Sequence, residues 1–149
     1  KPVAYQTGIR PNFVGDMPKI DPTAFIDPSA QILGNVHIGE NRLKHELAHG
    51  VIIHGPCTIG QGCFLALRAT VYNSILEEAV WVGIGAIIMR ATIPSHTMIP
   101  AGSVIRSKYD VRNYRLTTEK EMEYQKDVFR ASAALRDGYR KFSGSTGNP

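Results

Sequence analysis

An aliphatic residue recurs at every sixth position through the middle of the chain, at Leu47, Ile53, Ile59, Leu65 and Val71. Six is neither the 3.6 of an amphipathic helix nor the 2 of a half-buried strand. A sustained six-residue beat marks a hexapeptide-repeat parallel β-helix, in which each repeat is one short strand plus a corner and three repeats close a coil. The same beat runs earlier through Ile20, Ile26, Ile32 and Ile38, with Asp, Pro, Gly and Asn supplying the corners. It continues through Leu76, Val82, Ile88, Ile93, Ile99 and Ile105, with two steps shortened to five. These inward positions predict about five stacked coils, each aliphatic side chain contributing ~1.5–3 kcal/mol through burial. The beat fails once. Leu47 follows Ile38 by nine residues, and Lys44 stands where the next inward aliphatic belongs. An unpaired ammonium is not tolerated in such a column, so the stretch between Glu40 and Leu47 is expected to be irregular, shortened or missing.

At 149 residues with 43% hydrophobic and 20% charged residues, the chain suits one globular domain. A net charge of +4 without Lys/Arg runs interleaved with aromatics argues against nucleic acid as a partner. No apolar run approaches the ~18 residues that cross a bilayer, and no signal peptide is read at the start, so a cytoplasmic location is expected, with a bacterial microcompartment as the alternative. Cys57 and Cys63 lie one repeat apart, on neighbouring faces of a coil, and are expected to be free buried thiols. Residues 1–19, with three prolines and no period, read as an extended lead-in. The β-helix is assigned to 20–107, and a connector with a C-terminal helix to 108–142. Thr118-Glu119-Lys120-Glu121 forms a capping box there. Tyr124, Val128, Ala131 and Leu135 then make a helical stripe, read as a strap along the β-helix or a neighbouring subunit rather than a partner groove. Residues 143–149 read as a polar flexible tail.

The chemistry-bearing residues within the repeat are His49 and His54, two residues and one residue past their inward aliphatics. One chain hardly converges both on a single ion near one corner, but a trimer can place one from each side of an interface. Solvated surface histidines are the other reading.

The element AHGVIIHGP, the coil ending TIPSHTMIPAGSVI and the C-terminal Asp137-Gly138-Tyr139 resemble the γ-class carbonic anhydrases. The likeness is closest to the branch of the archaeal zinc enzyme and the anhydrase-like domain of the carboxysome scaffold protein. It covers roughly Ile20–Phe142. The resemblance implies an all-β fold, a left-handed parallel β-helix with the C-terminal α-helix packed along its side, assembled as a homotrimer with metal at the interfaces. It also implies reversible hydration of carbon dioxide to bicarbonate. His49 and His54 match two of the family's three zinc ligands; iron or cobalt also suit imidazole. Three imidazoles leave tetrahedral zinc a fourth position for water, whose pKa the metal lowers towards ~7, generating hydroxide to attack carbon dioxide. Phe64 and Tyr72 are candidates for an apolar wall near the substrate, with core packing as the other reading. Ser132 stands where the family often has a functional Asn.

The sequence departs from that pattern in one place. The family's first zinc histidine, an Arg-x-Asp pair, a nucleophile-orienting Gln and an acidic loop with a proton-shuttling Glu belong between the positions of Glu40 and Leu47. Only Asn41-Arg42-Leu43-Lys44-His45-Glu46 stands there, and about three coils of the pattern are absent. His45 is the candidate third ligand; His37 precedes its inward Ile and is expected to face elsewhere, and His96 lies in a late coil. The expectation is therefore a γ-carbonic-anhydrase-like protein with an impaired site. A non-catalytic trimeric scaffold of the same family is the alternative, and a hexapeptide-repeat acyltransferase the second alternative.

Overall fold

The computed structural model describes residues 8–41 and 46–111, together with Glu123, Asp127, Arg130, Ala131 and Ala134, each of them helical. The first 116 residues form one compact unit and residues 117–149 a second. The expected helical strap and flexible tail otherwise lie outside the described residues.

The first unit is a parallel β-helix. Its described residues form sixteen strands of two or three residues, distributed over three parallel sheets with every third strand paired. Sheet A holds six strands, from Ile9–Arg10 to Val104–Ile105, sheet B five, from Lys19–Ile20 to Thr92–Ile93, and sheet C five, from Phe25–Ile26 to Met98–Ile99. The inward column is continuous from coil to coil: Ile9, Ile32, Ile53, Val71, Ile88 and Ile105 stand in register on sheet A. Of the fifteen positions read from the repeat, thirteen are buried, and Ile20 and Ile26 in the first coil are partly buried and pack against the core. Ile9–Arg10, within the stretch read as a lead-in, is the first strand of sheet A. The eleven residues from Ile9 to Ile20 hide the beat at that point.

Of the expectations for the break after Ile38, the structure shows an irregular coil and not a shortened one. Ile26 pairs with Leu47, Ile32 with Ile53 and Ile38 with Ile59, each 21 residues apart, whereas Ile53 to Val71 takes 18 and Val71 to Ile88 takes 17. The coil is not short. It carries three extra residues at the corner between sheets B and C, and the column closes across them without a gap. A corner tolerates extra chain because only the strands enter the stack.

The corners repeat in columns too. Arg68, Asn73, Ala79, Arg90 and His96 adopt positive φ, as do Gly50, Gly62, Gly85 and Gly102. Between coils the backbones approach so closely at Gly60 that an added Cβ would lie 2.7 Å from the carbonyl carbon of Glu77. Only glycine fits there. Cys57 and Cys63 are free and buried, as expected.

Candidate metal centre

His49 lies in the corner between sheets C and A, two residues after inward Leu47. His54 closes the strand Ile52–His54 at the opposite edge of sheet A. The two histidines therefore occupy opposite edges of one face, not one corner, because the intervening strand is extended at about 3.3 Å per residue.

The His54 ring is held by the backbone that follows it. Its Nδ1 lies 2.8 Å from the Gly55 carbonyl oxygen. A carbonyl only accepts, so Nδ1 is the donor in that bond and Nε2 is the nitrogen not engaged by it. Metal-bound histidines are commonly held in this way, the second nitrogen donating to a carbonyl. Tyr72 stands beside His54 in register on sheet A, with ring centroids 5.3 Å apart in an edge contact. Arg90 stacks 5.9 Å over the Tyr72 ring.

Phe64 is not with them. It sits on the outer surface of sheet C, since its neighbour Leu65 points inward, and stacks on Trp81 at 4.3 Å. It is only 7% exposed, which fits the packing reading, and it lies on a different sheet from His54. His37 faces outward on sheet B and lines a groove of about 660 Å³ with Arg90 and Lys108. His96 turns a corner at φ +61°. His45 and Ser132 lie outside the described residues.

His49 has a different company. Its Nε2 lies 3.4 Å from Asp27 Oδ2, and with Glu46 the three side chains hold their ligand atoms within 4.8 Å of one another. His49 is 63% exposed and Asp27 14%, while Glu46 is 8% exposed. Neither acid stands out in the sequence. Asp27 reads as a corner residue of Ile26-Asp27-Pro28-Ser29, and Glu46 falls in the stretch where the beat fails. The signal available was that Ile26 and Leu47, which flank them, are both inward positions, so that their neighbours stack.

The buried thiols add no ligands. Burial holds the Cys63 thiol neutral, its pKa pushed up to about 12, and Cys57 is raised for the same reason. Among the described residues no helix is long and apolar enough to cross a membrane.

No protein-family model matches the chain. It is 27% identical over 93 residues, 62% of its length, to the carboxysome assembly protein CcmM of Nostoc sp., of which the match spans 17%. The chain spans less than a fifth of the length of each of the carboxysome assembly proteins it matches. It is 22% identical to a carbonic anhydrase of Methanosarcina thermophila over 188 aligned positions, covering 85% of this chain and 76% of that one. Because 85% of 149 residues is about 127, some sixty of those 188 positions have no residue here. That deficit is close to three coils of 18. A hexapeptide transferase family protein from Anaplasma phagocytophilum shares the fold, with a TM-score of 0.58 and 24% identity over 90% of this chain and 98% of that one.

Proposed function

We propose that this chain, γ-carbonic-anhydrase-like by its homologues, is a homotrimeric metal-binding subunit whose interfaces take carbon dioxide and bicarbonate but hydrate carbon dioxide only slowly. The observation that carries the reading is the hydrogen bond of His54 Nδ1 to Gly55, which fixes the imidazole as a ready ligand. The outer face of sheet A supplies the assembly surface. Gln31, Ile52, Thr70, Ile87 and Val104 form one outward column and Leu33, Tyr72 and Met89 flank His54 in the other. Ile52 is 44% and Val104 50% exposed. In a three-fold ring the two edges of that face meet those of neighbouring chains, bringing His49 of one to the partner subunit's His54. A bound zinc, iron or cobalt supplies a Lewis acid that acidifies water.

Slow hydration follows from what accompanies the two histidines. Tyr72 and Arg90 flank His54, and the stretch between Glu40 and Leu47, where the family resemblance calls for an Arg-x-Asp pair and an orienting Gln, has neither in its sequence. Residues that orient ligands are typically worth ~10–100-fold each in affinity or activity. A second reading, a scaffold subunit without catalysis, is favoured by the match to carboxysome assembly proteins, and it places the chain in a microcompartment.

Light scattering and stopped-flow hydration on zinc-loaded protein test the proposal. A mass three times the 16.4 kDa of the chain and hydration within about tenfold of buffer are expected. A folded monomer removes the interface site. Fast turnover abolished by His54→Ala shows a complete third ligand, with His45 the first to examine, and overturns the impaired reading.

A further inference from the structure

The outer face of sheet B is unlike that of sheet A. Its outward column runs Lys19, His37, Thr58, Ile75 and Thr92, in register from coil to coil. The groove of about 660 Å³ lies along it, taking His37, Thr58, Ile75 and Thr92 from the sheet and Arg90 and Lys108 from the corner beside it. Among the described residues that line the groove there is no carboxylate. Among the described residues, too, the ion pairs involve none of His37, Arg90 and Lys108.

The two permanent cations come from successive coils. Arg90 follows inward Ile88 by two residues and Lys108 follows inward Ile105 by three, and Ile88 and Ile105 are paired in register. Each lies against a ring and not an acid. The Arg90 guanidinium is 5.9 Å from the centre of the Tyr72 ring, and Lys108 Nζ is 5.2 Å from that of Tyr109. A ring face orients a cation without neutralising it, so both charges remain available to a ligand. Between the hydroxyls of Thr58 and Thr92 the floor is apolar, with Ile75 47% exposed. From His37 to Thr92 the column climbs three rungs, roughly 14 Å, which is longer than any inorganic oxyanion.

We propose that this groove binds an organic phosphate, its head group held by Arg90 and Lys108 and its apolar body laid over Ile75. A phosphomonoester carries about −1.5 to −2 charges near pH 7 and three acceptor oxygens, a match for two converging cations that a single carboxylate lacks. Arg90 supplies a planar fork of N–H donors and Lys108 a point charge. The site belongs to sheet B and stands or falls separately from the metal reading of His49 and His54.

Calorimetric titration of the full chain with phenyl phosphate, inorganic phosphate and benzoate tests it, with backbone amide NMR shifts to locate the ligand and circular dichroism to check folding. Phenyl phosphate is expected to bind once per chain, on the order of tenfold tighter than inorganic phosphate through contact with Ile75, and to shift the amides of Thr58, Ile75, Arg90 and Thr92. Benzoate, with the same ring and one charge, should bind at least about threefold more weakly than phenyl phosphate, and Arg90→Gln and Lys108→Gln should each weaken phenyl phosphate by at least about threefold. Arg68→Gln removes the same charge from another corner at positive φ and should leave affinity within about twofold. Equal weakening by Arg68→Gln reduces the effect to attraction by net charge and overturns the proposal. Shifts at His49 and His54 in place of Ile75 move the anion to the histidines and overturn it as well. Benzoate as tight as phenyl phosphate overturns the dianion, inorganic phosphate as tight overturns the apolar body, and absence of binding overturns the site. Should Arg90→Gln fail to fold, Lys108→Gln and the shift map decide.

Discussion

Cys63 lies beside the inward column and accordingly behaves as a small hydrophobe. Its thiol donates to the Glu77 carbonyl at 3.0 Å, and burial raises its pKa from 9.0 to about 12. Alkylation by iodoacetamide at pH 8 is therefore expected to be slow in the folded protein and fast in urea, as mass spectrometry would record. The same shift links folding to pH. Above about pH 9 the unfolded chain loses the thiol proton that the folded chain keeps, so this stabilisation is present below pH 9 and is lost as pH rises towards 12. A urea midpoint that stayed flat between pH 9 and 11 would contradict it. Residue by residue, the sequence made the inward aliphatics and the two histidines visible because each sits at a fixed offset from the beat. Asp27 and Glu46 stayed hidden for a physical reason. Their neighbourhood is made by pairing across 21 residues, and the irregular coil removes the offset that would have aligned them.

Strands of two or three residues cannot stand alone, and here the coil is the unit that folds. Its corners are the constrained part. Gly60→Ala forces a methyl group to within 2.7 Å of the Glu77 backbone and must push two coils apart, a cost on the order of 1–3 kcal/mol. Gly85→Ala meets nothing within 4 Å but sits at φ +66°, where a side chain costs ~1–2 kcal/mol. Urea denaturation of both is expected to show destabilisation in each. With a shifted m-value or a lost transition only for Gly60→Ala, the measurement would separate steric from conformational cost. The strands themselves were legible from period six. Ile9 was not, because a single strand set eleven residues from the next cannot establish a period.

At the scale of the whole β-helix, the described strands pair only with strands of neighbouring coils, so its stability is close to a sum over coils and their interfaces. Deleting residues 71–87, one coil of 17 by the pairing of Val71 with Ile88, keeps every later inward residue in phase. That variant is expected to fold with a lower Tm, whereas deletion of 71–84 rotates the column outward and should not fold; circular dichroism and thermal melts distinguish them. A deficit of some sixty aligned positions against the archaeal anhydrase is tolerable to such a stack in so far as it removes whole coils. One further feature makes the molecule its own instrument. The chain has a single tryptophan, and Trp81, 6% exposed, shares an outward column of sheet C with Phe64, next to the rung of Glu46. Two rungs amount to roughly 10 Å. Its fluorescence is thus an optical gauge of the middle coils of sheet C, and its emission should report their opening in urea without any added label.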